Sequence, residues 1–177
     1  LNSYSYGSRR RGRDLASFAF LLVLSFALVF GFVRPVVAAP SLIDGQSMEP
    51  TLENGERVLV VKPELLVGEP ERGDVVLIRD EDGRDLIKRV AALPGETVSV
   101  RGDTVYVDGE PLRGASAGWD LPGFSGVSTT VPPGHVYVLG DNRDRSTDSR
   151  SFGPVPVDRI KGEAVFTFWP PGHARTL

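Results

Sequence analysis

Residues 74–91, DVVLIRDEDGRDLIKRVA, read as strand, turn, strand. Asp74 to Arg79 and Asp85 to Ala91 are short runs of Val, Ile and Leu, and Asp82-Gly83 between them is hairpin-turn chemistry. Runs of the same kind recur at Arg57 to Val61, Glu96 to Val100, Thr104 to Val107, Val136 to Leu139 and Ala164 to Trp169, with a second hairpin dipeptide at Asp108-Gly109. After residue 40 no stretch sustains a helical period beyond single turns near Pro50 and Arg145. The pattern predicts a mainly β domain of antiparallel strands. Residues 113–133, rich in Gly, Ser, Thr and Pro, read as a long loop or small insert between strands.

A different pattern precedes that domain. Leu15 to Val33 carries no charge and consists almost entirely of Leu, Val, Phe and Ala, with Arg34-Pro35 after it. At about 1.5 Å per residue the run nearly crosses a hydrocarbon core of about 30 Å, and it lacks the polar face of a buried globular helix. A cleaved secretory leader is the rival, since Val37-Ala38-Ala39 has the look of a cleavage site. The run is longer than a leader's apolar region, and Pro40 after the candidate bond lacks the N–H and the freedom in φ that a protease binding extended peptide needs. An uncleaved anchor is therefore predicted over residues 15–35. Four Arg before the apolar run and one after it put a tail, 1–14, in the cytoplasm and residues 36–177 outside.

Charge and composition exclude several classes. Residues 1–37 hold five Arg and one Asp, so a chain of net charge −3 has an acidic remainder, a poor binder of nucleic acid. The absence of cysteine removes a thiolate nucleophile and the usual structural zinc sites. In the acidic loops, Arg143 and Arg145 stand where a calcium loop needs oxygens, and Asp80-Glu81-Asp82-Gly83 lacks a downstream bidentate Glu. Neither a metal nor a cofactor is expected.

Nucleophilic chemistry remains. A serine hydroxyl needs a neighbouring base, and the histidines are His135, at a turn, and His173, in a Pro-Gly tail. Lys88 is the stronger candidate. In a strand it shares a face with Leu86 and Val90, and burial there lowers a lysine's pKa until the neutral amine can take a proton. Arg89 points to the opposite face and stays charged. Ser47 sits in Asp44-Gly45-Gln46-Ser47-Met48-Glu49-Pro50, a Gly-then-Pro context that forces a turn and exposes the hydroxyl. By residue type alone the serine is equally a turn or cap residue, and the lysine equally a strand-edge residue reaching for water.

Three stretches in order break that tie: Ser47-Met48-Glu49-Pro50-Thr51-Leu52, Leu86-Ile87-Lys88-Arg89-Val90, and Gly140-Asp141-Asn142-Arg143-Asp144-Arg145-Ser146-Thr147-Asp148-Ser149-Arg150. With the apolar run before them, the chain resembles the bacterial type I signal peptidase family over nearly its whole length. The resemblance implies antiparallel sheets of the signal-peptidase complex β fold, and a membrane-bound serine endopeptidase that removes signal peptides from secretory precursors by a Ser/Lys dyad through an acyl-enzyme. It implies Ser47 as nucleophile, Lys88 as base, and an oxyanion hole from the Ser47 N–H with a second donor at Gly45, where some members carry Ser or Thr. It further implies that Ser146 orients the lysine amine, that Asp148 with Arg150 and Asp141 with Arg89 brace the loop, and that Ile43 and Ile87 line shallow pockets for small residues before the cut. The expected partners are signal peptides and the lipid bilayer of the plasma membrane, and the family's variable cap is expected to be minimal near 113–133. Trp119, Leu121 and Phe124 in that insert are expected either to touch lipid headgroups or to form a small core cluster. An anchored β-rich binding module without catalysis is the alternative from another class.

Overall fold

The computed structural model describes residues 8–28, 38–62, 68–101, 104–112 and 128–177. It divides into two compact units, residues 1–38 and 39–177. In the first, α1 spans Ser8–Leu28, and its described apolar side chains, Phe18 to Phe26, are exposed. Of the predicted anchor only residues 15–28 fall in described helix, about 21 Å at 1.5 Å per residue. Among the described residues no helix is long and apolar enough to cross a membrane. The rest of that segment, and Trp119, Leu121 and Phe124, lie outside the described residues.

The second unit is built of antiparallel strands, as the alternating runs predict. An eight-stranded sheet follows the order β1 (Ala38–Leu42), β2 (Arg57–Val61), β11 (Ile160–Trp169), β3 (Val75–Arg79), β4 (Asp85–Ala92), β9 (His135–Leu139) and β10 (Val155–Pro156), with β12 (Arg175–Thr176) also paired to β11. A smaller sheet orders β7 (Glu110–Pro111), β6 (Thr104–Val107), β5 (Thr97–Arg101) and β8 (Ser128–Thr130). The opening hairpin is β3–β4, in register Val76 to Lys88 and Leu77 to Ile87.

Period-two alternation gives the large sheet two apolar faces. On one, Val75, Leu77 and Ile87 pack with Ile43, Met48, Leu52, Val58 and Val60. On the other, Val76, Ile78, Leu86 and Val90 pack with Val136, Val138, Val155 and Ile160. A third cluster joins Ala91, Ala92, Tyr137 and Leu139 to Val98, Val100, Val105 and Val107 of the small sheet. Lys88 therefore interrupts an apolar face, between Leu86 and Val90, and is 2% exposed. A short α2, Ser149–Phe152, docks on β9 through the Ser149 hydroxyl, which accepts the Val138 N–H at 2.9 Å.

Candidate active site

Ser47 is carried by a loop from Ile43 to Glu56 whose ends are tied together. The Ile43 N–H donates to the Glu56 carbonyl at 2.8 Å and the Gly55 N–H to the Ile43 carbonyl at 2.9 Å. Inside it, residues 47–50 turn, and the Leu52 N–H closes on the Met48 carbonyl at 2.9 Å. Met48 and Leu52 anchor the turn by burying their side chains in the core, which leaves the serine between them and the next loop.

The loop after β9 meets it. The Asn142 N–H donates to the Ser47 carbonyl at 3.0 Å, and Arg145 donates to the Gln46 side-chain oxygen. Gly140 makes this approach possible: a Cβ there would lie 2.5 Å from the Ser47 carbonyl oxygen and collide with the Ser146 side chain. At the junction Lys88 Nζ reaches Ser47 Oγ at 2.8 Å and donates to the Ile87 carbonyl at 2.9 Å.

The electrostatics suit a base. Burial pushes the Lys88 ammonium down to about 8, while the negative charges of Asp148 and Asp141 oppose that fall. Asp148, 0% exposed, accepts the Gly140 N–H at 2.9 Å and the Arg150 Nε at 2.8 Å, and Arg150 also donates to the Arg143 carbonyl at 2.5 Å. Arg89 grips Asp141 with two bonds, 2.9 and 2.7 Å, and donates to the Gly73 carbonyl at 2.7 Å. The two acids thus lie within reach of the lysine's field without bonding to it, each spent on an arginine.

Two of the expected contacts differ. The Ser146 hydroxyl is buried and has no hydrogen-bond partner, so it does not hold the Lys88 amine, whose bonds go to Ser47 and Ile87. The reason is local: Ser146 Oγ is turned against Gly140. Gly45, at φ +109°, donates its N–H to the Asn54 side chain at 2.9 Å, so that donor is not free for an oxyanion. Among the described residues no acceptor engages the Ser47 N–H. Ile43 and Ile87 belong to one apolar cluster beside Met48. His135 opens β9, four residues or about 13 Å of strand before Leu139 at the dyad's end, and its Nδ1 lies 3.0 Å from the Pro133 carbonyl.

A buried clamp on the serine loop has no counterpart in the sequence reading. Glu56, 2% exposed, is held by Arg175 at 2.8 and 3.0 Å, by His173 Nδ1 at 2.9 Å and by the Glu53 N–H at 3.0 Å, and Arg175 also donates to the Thr51 carbonyl. Burial alone would raise this carboxyl, but bonds from Arg175, the Glu53 N–H and His173 outweigh it and hold Glu56 at about 2. No group of three or more His, Cys, Asp or Glu placed to hold a metal occurs among the described residues.

The model of the family "Signal peptidase, peptidase S26" matches residues 15–169, which include both Ser47 and Lys88. The chain belongs to the S26 signal peptidase family. It is 35% identical over 175 residues to signal peptidase IB of Staphylococcus aureus strain Mu50, covering 89% of this chain and 91% of that one. With signal peptidase I of Bacillus licheniformis the identity is 37% over 164 residues, 86% of each chain. A crystal structure of a signal peptidase I from Enterococcus faecalis V583 matches at 32% identity, over 56% of this chain and 100% of that one, with a TM-score of 0.46. As an S26 peptidase the protein is a serine endopeptidase.

Proposed function

We propose that this S26 signal peptidase cleaves secretory precursors after a small residue, with Ser47 as nucleophile and Lys88 as the single general base and acid. The observation that carries the reading is the 2.8 Å contact between Lys88 Nζ and Ser47 Oγ, made by a lysine whose pKa is brought down to about 8. The neutral amine accepts the Ser47 proton as the oxygen attacks the scissile carbonyl. The Ser47 N–H stabilises the resulting oxyanion, and Lys88 returns the proton to the departing amine of the mature protein. What remains on Ser47 is an ester of the signal fragment. Lys88 then takes a proton from a water that attacks this ester, and passes it to the Ser47 oxygen as the bond to the acyl carbon breaks, so the signal fragment leaves as a carboxylic acid and the dyad is restored.

In this reading Asp148–Arg150 and Asp141–Arg89 brace the loop that presses on Ser47, and Ile43 with Ile87 receives the small side chains before the cut. The apolar run 15–33, flanked by four Arg on one side, anchors the enzyme in the plasma membrane with residues 36–177 outside.

The test is cleavage of a precursor peptide by Ser47→Ala, Lys88→Arg and the surface control Lys161→Arg, with labelling by a serine-acylating probe. Ser47→Ala and Lys88→Arg should fall to background, because a guanidinium does not give up its proton. Lys161, whose ammonium pairs with Asp85 at the surface, should be silent when replaced. Robust turnover by Lys88→Arg would refute the dyad.

A further inference from the structure

Arg175 does more to the serine loop than neutralise a buried acid. Its guanidinium meets Glu56 as a fork, Nη2 to Oε2 at 2.8 Å and Nη1 to Oε1 at 3.0 Å, and Nη1 also donates to the His173 carbonyl at 2.8 Å. Those bonds fix the plane of the group. With the plane fixed, Nη2 donates in addition to the Thr51 carbonyl. The fork is delivered by a rigid element: Arg175 lies in β12, paired with Thr167 of β11, and Leu177 beyond it packs on the cluster that holds Ile43, Met48 and Ile87.

The Thr51 carbonyl and the Leu52 N–H belong to one amide. That N–H donates to the Met48 carbonyl at 2.9 Å and closes the turn on the residue after Ser47. A charged donor at one end of an amide polarises it and strengthens the bond made by the other end, so the hold of Arg175 passes through a single peptide to Met48. The amides around Ser47 are tied into the same turn. The Gln46 carbonyl accepts the Glu49 N–H at 3.3 Å, and the Ser47 carbonyl accepts the Asn142 N–H at 3.0 Å. The Ser47 N–H shares its amide with the Gln46 carbonyl, so the direction of that donor, and of the Oγ that Lys88 Nζ meets at 2.8 Å, follows the turn that Arg175 holds.

We propose that Arg175 is a positioning residue for the cleavage reaction: oriented by Glu56, it fixes the Thr51–Leu52 amide and, through it, the turn that aims the Ser47 N–H and Oγ. The proposal rests on Ser47 as the nucleophile given above. Loss of this hold falls on kcat rather than KM, because a misaimed nucleophile and oxyanion donor weaken the transition state and leave ground-state binding of the peptide in place.

The experiment uses the full chain in detergent, a precursor peptide for kcat and KM, and urea unfolding for the folded fraction. Arg175→Lys separates the two roles of the residue: an ammonium still neutralises buried Glu56, but as a point charge it does not fork onto Glu56 and reach Thr51 in one plane. Its kcat should fall about tenfold or more, with KM within about twofold of the parent and a urea midpoint close to the parent's. In Arg175→Ala, millimolar guanidinium ion, far below denaturing concentrations, should restore part of the lost kcat, and methylammonium should not. If Arg175→Ala does not fold, the lysine variant decides alone. Arg84→Lys, at an exposed ion pair of the β3–β4 turn, is the control and should be silent. A parental kcat in Arg175→Lys, a kcat loss that only tracks a loss of folded protein, or a folded Arg175→Ala that guanidinium does not rescue would overturn the proposal. Ser47→Ala is run beside them: if it still cleaves, the nucleophile reading has failed, whereas a dead Ser47→Ala with parental kcat in Arg175→Lys removes the role of Arg175 alone.

Discussion

Acidification should switch this enzyme off through Lys88, at a pH set by burial. An exposed lysine near 10.5 would be neutral in only about 0.03% of molecules at pH 7, whereas one at about 8 is neutral in about 9%, a gain of roughly three-hundredfold in active base. kcat/KM on a short precursor peptide should therefore climb tenfold per pH unit up to about 8 and then level. The same shift bears on stability. A lysine whose pKa is lower in the folded chain than in the unfolded one weakens the fold below its folded value, and the deficit, about 3 kcal/mol at most, closes as pH rises from about 8 to about 10.5. Lys88→Met removes the buried charge and gives up bonds to Ser47 and Ile87, so it should be inactive yet about 1 to 2 kcal/mol more stable at pH 7 by urea unfolding. An activity limb near 6.5 that disappears in His135→Ala would place the base on a histidine and refute the argument. A Lys88→Met chain less stable than the parent at pH 7 would refute its electrostatic half.

Gly140→Ala should lower kcat about a hundredfold while costing about 1 to 3 kcal/mol of stability, because the new methyl displaces the Ser47 carbonyl and the Ser146 side chain; parallel kinetics and thermal melts check that activity falls further than folding does. Glu56, depressed from 4.5 to about 2, contributes stability that is fully present above pH 4.5 and is lost as pH falls towards 2. Arg175→Ala should therefore cost about 2 kcal/mol at pH 6 and progressively less in acid, and a penalty independent of pH would reject that role for the clamp.

The strands were legible because one face of each is apolar, and the alternation in DVVLIR and DLIKRVA places Ile87 and Lys88 on opposite faces in the chain as in the fold. Five strands the reading missed, over AAPSL, EP, STT, VP and RT, are short, and all but one are pieces of three residues or fewer that the register of a neighbour fixes, not their own pattern. β11 was foreseen only from Ala164, since Gly162 and the charged Lys161 and Glu163 hide a strand that begins at Ile160.

The site divides along the same physical line. The three motifs single out Ser47 and Lys88 as candidates, but whether an amine 41 residues away reaches a hydroxyl depends on how two loops are pressed together, and the sequence does not carry that distance. The contacts that press them are equally remote. Gly140 admits the loop after β9, Asn142 and Arg145 seize the serine loop from one side, and Arg175, 119 residues from Glu56, holds it from the other. A glutamate in a turn looks solvated until its partner from the chain's last residues is known, which is why Glu56 escaped the reading. Ser146 shows the converse limit. Its place in the motif fixes where its backbone goes, but the side-chain rotamer answers to the space beside Gly140, and that space turns the hydroxyl away from any partner. Motifs thus transmit the chemistry of a position, while the hydrogen bond made there is settled by packing of neighbours that the motif does not name.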